Sequence, residues 1–293
     1  MQVINPATEE TSEIPETPLA AIPQQLGRAK EAQLLWRTLS VAERAAVLFP
    51  LADAIEKSKG EFARLIAEDM GKPISAGLGE LRRVTTGIEY LCSKAPEWLA
   101  PEITDAGKEA GYIEYAPMGV IGVITPWNGP VWLSVIGLIP SLLAGNAAIY
   151  KPSENSLRTG ISLARYFQSL PGIPEGLVQL VVGGRSHGRA VVESDVAMVA
   201  LVGSTAAGKD IMRTCASDLK RVSLELGGLD SAIVLKDVDI QSTAQKIVRI
   251  HCTNSGQVCC SIKRVYVERQ VYAQFVQEAV TEAKKGSRRQ SSG

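Results

Sequence analysis

Two side chains have the type and setting for covalent catalysis, a thiol and a carboxylate. Cys259 lies in the polar stretch NSGQVCC (254–260), and such a thiol is a better nucleophile candidate than one in an apolar helix. A free cysteine has a pKa of about 8.5, so a working nucleophile needs neighbouring dipoles or a base. Glu225 stands just before two glycines in an apolar run. It is either a partly desolvated general base or an edge residue that points at solvent.

A histidine offers a second way to activate the thiol. His251 lies eight residues before Cys259, and Cys–His partners meet in space rather than in sequence. His251 falls in a predicted helix at 240–253, where a hydrogen-bonded structural histidine is the favoured interpretation. A Cys259–His251 hydrolase that needs no cofactor therefore ranks below the other functions considered.

Polar or glycine-rich turns follow three predicted strands. Asn128 offers an amide donor for a developing oxyanion, or is an ordinary turn asparagine. Lys151 and Glu154, three residues apart, could both reach the hydroxyls of one ribose, or form a surface ion pair. The turn GSTAAG (203–208) precedes a helix, so Ser204 and the free helix N–H groups could bind a phosphate, or simply start the helix. The dinucleotide fingerprint GxGxxG is absent from the sequence.

The remaining cysteines and histidines predict neither disulfides nor a metal site. Five cysteines form no even disulfide framework and no zinc pattern, and Cys92, Cys215 and Cys252 are interpreted as buried structural thiols. With two histidines and no clustered cysteines, we expect no metal ion. Free thiols indicate a reducing compartment, and residues 1–11 lack a secretory signal pattern. A cytoplasmic location is expected.

Composition favours a globular protein. The 293 residues suffice for about two domains. The 31 basic and 31 acidic residues balance, and only 21% of residues are charged, which argues against a nucleic-acid binder. Residues 115–150 lack any charged side chain, but Pro126, Pro130 and Pro140 divide this stretch into pieces too short to cross a membrane. We expect a buried strand, turn and helix there instead.

The periodicity predicts helices first and then strands that alternate with helices. Ser40 and Glu43 form a capping-box pair at the start of a helix that contains Pro50 and is expected to end at Gly60. Further helices are predicted at 62–70, 76–94, 134–143, 156–170, 188–192 and 206–216. Strands are predicted at 111–116, 118–124, 147–150, 177–182, 197–202 and 231–235. This alternation is typical of a parallel, doubly wound sheet, in which ligands bind beyond the carboxyl ends of the strands.

Five motifs, taken in order, resemble those of the aldehyde dehydrogenase superfamily. They are PWN (126–128), KPSE (151–154), GSTAAG (203–208), ELGG (225–228) and GQVC (256–259), with Arg264 after the last. The resemblance extends from residue 5 to about residue 279. Each motif is weak alone, but five in order are improbable by chance.

The resemblance implies a fold and a cofactor. The fold is α/β, a doubly wound, Rossmann-like parallel sheet in a cofactor domain with N-terminal helices, followed by the beginning of a second α/β catalytic domain. The implied domains are 1–100 with 117–226 for NAD(P), 101–116 as an oligomerisation strand segment, and 227–293 for the catalytic part. NAD is the expected cofactor, with NADP as the alternative. The implied cofactor residues are Ile124, Thr125, Pro126, Trp127, Lys151, Ser153, Glu154, Gly184, Gly203, Ser204, Gly208 and Leu226.

The resemblance also implies a reaction, the oxidation of an aldehyde to a carboxylic acid. The Cys259 thiolate would attack the carbonyl carbon, and the Asn128 side chain with the Cys259 N–H would hold the oxyanion. Glu225 would activate the water that hydrolyses the thioester. Cys260 lies outside the nucleophile position of the family. The Glu154 carboxylate would repel a 2′-phosphate, which favours NAD.

Two departures from the family pattern set up an alternative. Leu229 and Asp230 follow ELGG where the family usually has Lys and then Ser or Asn. The chain also stops soon after Cys259, and residues 284–293 lack an apolar pattern and suggest an unrelated tail. The alternative to an enzyme is therefore a non-catalytic dinucleotide-binding chain, or a partner of full-length homologues. The expected partners are a small-molecule aldehyde and, as in the family, further copies of the chain, with no nucleic acid and no membrane.

Overall fold

The computed structural model describes residues 1–105 and 110–289, which form two compact units. The first unit is Met1–Glu225 and the second is Leu226–Gly293. The division falls within the motif ELGG. Asn128 and Lys151 therefore belong to the first unit, and Cys259 belongs to the second.

The first unit begins with a small hairpin and a set of helices. In chain order these elements are β1 (Gln2–Ile4), β2 (Thr11–Glu13), α1 (Ile22–Trp36), α2 (Val41–Leu48), α3 (Pro50–Lys57), α4 (Lys59–Met70) and α5 (Ile74–Trp98). The predicted capping box is present, because Ser40 Oγ accepts from the Glu43 N–H and the Glu43 carboxylate accepts from the Ser40 N–H. These helices carry Trp36, Leu48, Phe62 and Ile88 fully into the core.

Prolines and glycines divide these helices differently from the sequence prediction. Pro50 begins a new helix rather than lying inside one, since a first helical position needs no N–H donor. The helix end predicted at Gly60 is wrong, because the break falls at Ser58 and Gly60 lies in the first turn of α4. The end predicted before Pro96 is also wrong. Pro96 lies in the last turn of α5, where its missing N–H removes only one hydrogen bond.

An antiparallel hairpin follows α5. It pairs β3 (Glu102–Asp105) with β4 (Ala110–Ile113), and Ile103 lies opposite Tyr112. Ile103 is 87% exposed and Tyr112 is 71% exposed, so the hairpin presents apolar side chains to solvent. Part of the segment predicted to serve oligomerisation, residues 106–109, lies outside the described residues. Its role stays a prediction.

The centre of the first unit is a five-stranded sheet, and its topology is doubly wound as predicted. The elements are β5 (Val120–Ile124), α6 (Trp132–Leu143), β6 (Ala147–Lys151), α7 (Leu157–Gln168), β7 (Val178–Leu180), α8 (Arg185–Glu193), β8 (Met198–Gly203), α9 (Thr205–Ala216) and β9 (Arg221–Leu226). The strand order is β7-β6-β5-β8-β9, and β5 pairs in parallel with both β6 and β8. The chain winds outward from β5 in one direction and then in the other, so a crevice opens between β5 and β8.

The uncharged stretch 115–150 forms the middle of this core. It supplies β5, α6 and β6 up to Tyr150, and every residue of β6, including the final Lys151, is buried. A parallel strand covered on both faces is expected to be apolar throughout, which explains the missing charges. Among the described residues, no helix is both long and apolar enough to cross a bilayer.

The second unit is a small α/β layer. Its elements are β10 (Asp230–Val234), α10 (Ile240–Cys252), β11 (Ile262–Val267) and α11 (Tyr272–Arg289). The strands β10 and β11 are parallel, and Val234, Ile240, Ala244 and Phe275 form the core. The strand predicted at 231–235 thus belongs to this second sheet, while β9 was missed as the fifth strand of the first. Residues 284–289, where an unrelated tail was expected, continue α11; residues 290–293 lie outside the described residues.

Candidate functional site

A cleft of about 380 Å³ opens at the carboxyl edge of the central sheet. Its apolar wall consists of Ile124, Val192, Leu201 and Ile211. Its polar lining includes Lys151, Glu154, Gly184, Ser204 and Asp210. Five residues predicted to bind the cofactor, from four separate turns, therefore line one cavity: Ile124, Lys151, Glu154, Gly184 and Ser204. The cleft lies entirely within the first unit.

A lysine–glutamate pair forms one side of the cleft. Lys151 ends β6, its side chain is 5% exposed, and its Nζ donates to Glu154 Oε2 at 3.1 Å. Desolvation raises the pKa of Glu154, but its own backbone N–H and the nearby Lys151 ammonium outweigh this effect, so the pKa lies below its usual range. The Glu154 carboxylate is therefore ionised at neutral pH, and the Lys151 ammonium stabilises this charged form.

Two helices begin at the cleft. Gly184 precedes α8, and Ser204 is the N-cap of α9, where its Oγ accepts from the Ala207 N–H at 3.2 Å. The Ser204 hydroxyl thus starts the helix, which was the simpler of the two interpretations, and it also lines the cleft. The positive ends of two helix dipoles face this cavity, a setting that favours a bound anion.

The other residues predicted to bind the cofactor do not line the cleft. Gly203 ends β8 and Gly208 is buried in α9, while Ser153 caps the short turn Glu154–Ser156 through Asn155 N. Thr125 is buried, and its Oγ1 lies 3.0 Å from Ser134 Oγ. Pro126 and Trp127 follow it in the loop to α6, and Leu226 is partly buried at the start of the second unit.

The Asn128 loop is held by two residues that the sequence analysis missed. Lys72 Nζ donates to the backbone carbonyl of Asn128 at 3.1 Å, and Glu80 Oε1 accepts from the Val131 and Trp132 N–H groups. Lys72 and Glu80 also form an ion pair whose two side chains are 4% and 7% exposed. No local pattern marks either residue, since Lys72 lies between α4 and α5 and Glu80 lies in α5, both far from residue 128 in the sequence.

Glu225 lies near the end of an edge strand. In β9 the side chains alternate between exposed and partly buried, and Glu225 shares the exposed face with Arg221 and Ser223. Of the two interpretations offered for Glu225, the structure of the first unit matches the exposed edge residue.

The thiols divide into buried and exposed groups. Cys259 and Cys260 are exposed, and Cys92 and Cys215 are buried as predicted. Burial raises the pKa of Cys92 to about 11 and also raises the pKa of Cys215, so both are poor nucleophiles. The prediction that Cys252 is buried is wrong, because it is the last residue of α10 and is exposed.

The backbone just before Cys259 has an unusual conformation. Asn254 and Ser255 have positive φ values of 53° and 57°, and Gly256 follows with φ 80°. Consecutive non-glycine residues in the left-handed region are uncommon, and such strain is concentrated at functional sites. This turn ends three residues before the candidate nucleophile.

The two histidines are engaged by backbone groups. His251 Nδ1 lies 2.8 Å from the Ile262 carbonyl oxygen, and His187 Nε2 lies 2.8 Å from the Thr17 carbonyl oxygen. These contacts favour the structural interpretation of His251 over a role as the base of a hydrolase. In the described part of the chain, no group of three His, Cys, Asp or Glu side chains is arranged to hold a metal ion.

Sequence comparison decides the family. The sequence model of the aldehyde dehydrogenase family matches residues 1–290. The chain belongs to this family. Its relatives include "Aldehyde dehydrogenase, cytosolic 1" of Elephantulus edwardii, 36% identical over 97% of this chain and 58% of the relative. Lactaldehyde dehydrogenase of Escherichia coli is 35% identical over 94% of this chain and 58% of the relative.

Solved structures of the family have the same fold. An NADP-dependent glyceraldehyde-3-phosphate dehydrogenase from Bacillus halodurans, crystallised with NADP, superposes with a TM-score of 0.87 at 32% identity. The match covers 95% of this chain and 60% of that structure. The chain thus spans somewhat more than half the length of the aldehyde dehydrogenases it matches.

Proposed function

We propose that the chain binds NAD(P) in the cleft of the first unit and oxidises an aldehyde to a carboxylic acid through Cys259. The cleft itself carries the proposal, because it combines two helix N-termini, a buried lysine and an ionised glutamate within one cavity. These groups match a dinucleotide, which has an anionic pyrophosphate, ribose hydroxyls and a flat apolar base. Family membership supplies the reaction class.

The residues of the cleft fit the parts of the cofactor in a definite order. The N-termini of α8 and α9 would receive the pyrophosphate. Lys151 would donate to a ribose hydroxyl, and Glu154 would accept from one. Val192, Leu201 and Ile211 would pack against the adenine. When bound, NAD(P)+ supplies the acceptor for the two electrons removed from the substrate.

The proposed chemistry on the protein side is nucleophilic. The Cys259 sulfur forms a bond to the carbonyl carbon, and the carbonyl oxygen becomes an oxyanion that accepts hydrogen bonds from the Asn128 carboxamide and the Cys259 N–H. After oxidation the carbon is a thioester. Glu225 takes a proton from the attacking water, the C–S bond breaks, and the thiolate of Cys259 is restored as the acid leaves.

Binding without turnover is the second candidate. The cleft lies within Met1–Glu225, whereas Cys259 belongs to the other unit. The chain would then act as a dinucleotide-binding protein or as a partner of longer homologues. Association through the β3–β4 hairpin and a cytoplasmic location remain part of the proposal, and one relative is named a cytosolic enzyme.

Titration with NAD and NADP tests the binding step. Lys151→Met should weaken NAD binding about tenfold or more, since it removes a charge-assisted hydrogen bond and leaves Glu154 unsupported. Lys30→Met is the matched control, because Lys30 forms an exposed ion pair with Asp195 and does not line the cleft. Equal affinity in wild type and Lys151→Met, or no binding of either dinucleotide to the wild type, would contradict the proposed site.

A further inference from the structure

The helices that follow β5 and β6 do not cap themselves. The N-cap residues are Val131 for α6 and Ser156 for α7, and neither makes a side-chain capping hydrogen bond. The first N–H groups of a helix have no partner within the helix, so a buried helix start needs acceptors from elsewhere. Both starts lie at the carboxyl edge of the sheet, directly after the two loops that carry Asn128 and Glu154.

Glu80 supplies the acceptor for α6. Its Oε1 accepts from Val131 N at 2.9 Å and from Trp132 N at 3.0 Å. Its Oε2 pairs with Lys72 Nζ, and Lys72 in turn donates to the Asn128 carbonyl oxygen. A single buried ion pair thus holds both ends of the segment 128–132.

Asp69 does the same for α7. Its Oδ2 accepts from Thr159 N and Thr159 Oγ1, both at 2.8 Å, and its Oδ1 accepts from Arg158 at 3.2 Å. The Asp69 side chain is 2% exposed. Ser156 occupies the usual capping position, but its Oγ is buried and has no hydrogen-bond partner among the described residues. The distant carboxylate therefore takes the place of the local cap.

The three charged residues come from one corner of the fold. Asp69 is next to last in α4, Lys72 lies in the connection, and Glu80 lies in the second turn of α5. By contrast, α9 is capped by its own Ser204, and its start opens on the cleft. Glu80 and Asp69 thus occupy the N-termini of α6 and α7, where an anion could otherwise bind. The N-termini of α8 and α9 instead line the cleft.

We propose that Asp69 and Glu80, the latter paired with Lys72, are positioning residues that fix the two loops of the cofactor edge. Glu80 and Lys72 set the loop that carries Asn128, and Asp69 sets the loop that carries Glu154. Neither carboxylate lines the cleft. The inference rests on the proposed function, because these loops matter to a ligand only if the cleft binds the dinucleotide.

The test combines two measurements on matched variants. Glu80→Gln and Asp69→Asn remove the charges with little change in shape, and the double variant Lys72→Met/Glu80→Gln avoids leaving a lysine buried without its partner. Glu43→Gln is the control, since it weakens the capping box of α2, which holds neither loop. The measurements are the NAD dissociation constant by titration and amide hydrogen exchange at residues 131, 132 and 159.

We expect faster amide exchange only at the loop that each variant releases, together with weaker NAD binding. Amide exchange at residues 131 and 132 should accelerate about tenfold in Lys72→Met/Glu80→Gln. Exchange at residue 159 should accelerate by a similar factor in Asp69→Asn. The NAD dissociation constant should rise about fivefold in both of these variants. Glu43→Gln should change neither quantity. A purely structural role would leave the NAD dissociation constant within twofold of wild type while the folded protein melts earlier, and that result overturns the inference.

The two proposals fail in different ways. If the wild type binds NAD and the variants bind it equally well, the positioning role is overturned and the cofactor site stands. If loop exchange is unchanged in every variant, the carboxylates do not hold the loops and the positioning role is likewise overturned. If the wild type binds neither NAD nor NADP, the proposed function is overturned, and the positioning role with it.

Discussion

At the scale of single residues, we propose that the charge state of Glu154 governs the choice of coenzyme. Nearby donors keep this carboxylate ionised, although burial alone would raise its pKa. A carboxylate accepts hydrogen bonds from two ribose hydroxyls but repels a 2′-phosphate. In the proposed site, Glu154 would therefore favour NAD and disfavour NADP.

Replacing Glu154 should therefore shift the preference towards NADP. In Glu154→Gln we expect the ratio of NADP to NAD affinity to rise about tenfold, because the repulsion is removed while the side-chain shape is kept. Side-by-side titration with both dinucleotides measures this ratio, with Glu56→Gln as a control at an exposed ion pair. Wild-type protein that binds NADP as tightly as NAD would contradict this assignment.

The thiols also make a prediction at this scale. In the native protein, iodoacetamide should label Cys252, Cys259 and Cys260, which are exposed, well before Cys92 and Cys215, which are buried. A pKa of about 11 alone lowers the thiolate fraction of Cys92 at neutral pH, and labelling should be slower by roughly a hundredfold. Mass spectrometry of peptides after timed labelling checks the order. Early labelling of Cys92 would contradict its burial in the core.

At the scale of elements, a hydrogen bond between two buried hydroxyl groups links β6 to α6. Tyr150 Oη lies 2.8 Å from Ser134 Oγ, which also bonds the Pro130 carbonyl oxygen. Desolvation raises the pKa of Tyr150 to about 12, even though Ser134 and Thr125 pull in the opposite direction. The pKa of Tyr150 in the folded protein exceeds its unfolded value near 10. The neutral Tyr150 hydroxyl therefore contributes its full share of the folding stability below pH 10, and this share is lost as the pH rises through 12.

Tyr150→Phe should separate these effects. Near pH 8 the variant should be about 1 kcal/mol less stable, since it lacks the hydroxyl hydrogen bond. Between pH 10 and 12 the wild type should lose up to about 3 kcal/mol that the variant keeps, because a phenylalanine cannot ionise. Urea unfolding at several pH values measures both. Equal alkaline losses in the two proteins would show that Tyr150 is not the group responsible.

The elements also show how far a sequence predicts a fold. The alternation of strands and helices predicted the doubly wound sheet because β5 and β6 are covered on both faces and must be apolar. It missed β9, whose residues alternate between polar and apolar as expected at a sheet edge, and assigned the strand at 231–235 in its place. Helix ends were misplaced at Gly60 and Pro96, because packing tolerates a glycine in a first turn and a proline in a last turn.

The candidate site was predictable to a similar extent. Turns after parallel strands must meet at one edge, so Lys151, Glu154 and Ser204 were expected to lie together, and one cleft contains all three. Asp69, Lys72 and Glu80 were not found, because a residue that caps a helix from far along the chain leaves no local pattern. Long-range contacts of this kind depend on the assembled fold.

At the scale of the whole molecule, the proposed reaction divides between two units. Met1–Glu225 contains the cofactor cleft, the Asn128 loop and Glu225, and the second unit contains Cys259 after a turn with left-handed backbone. In the proposed function, the cleft that binds the cofactor is lined by the first unit, whereas turnover also requires Cys259 of the second. Binding measurements therefore test the cleft of the first unit, and turnover measurements also test Cys259 of the second.

The most direct test of aldehyde oxidation is the rise in absorbance of the reduced nicotinamide when the purified chain meets NAD or NADP and a panel of short aldehydes. We predict a rise for wild type and for Cys252→Ala, which removes another exposed thiol of the same unit. Cys259→Ala should abolish the rise, because the nucleophile is gone. A rise that survives in Cys259→Ala, or no rise with the wild type and either dinucleotide, would contradict the proposed reaction.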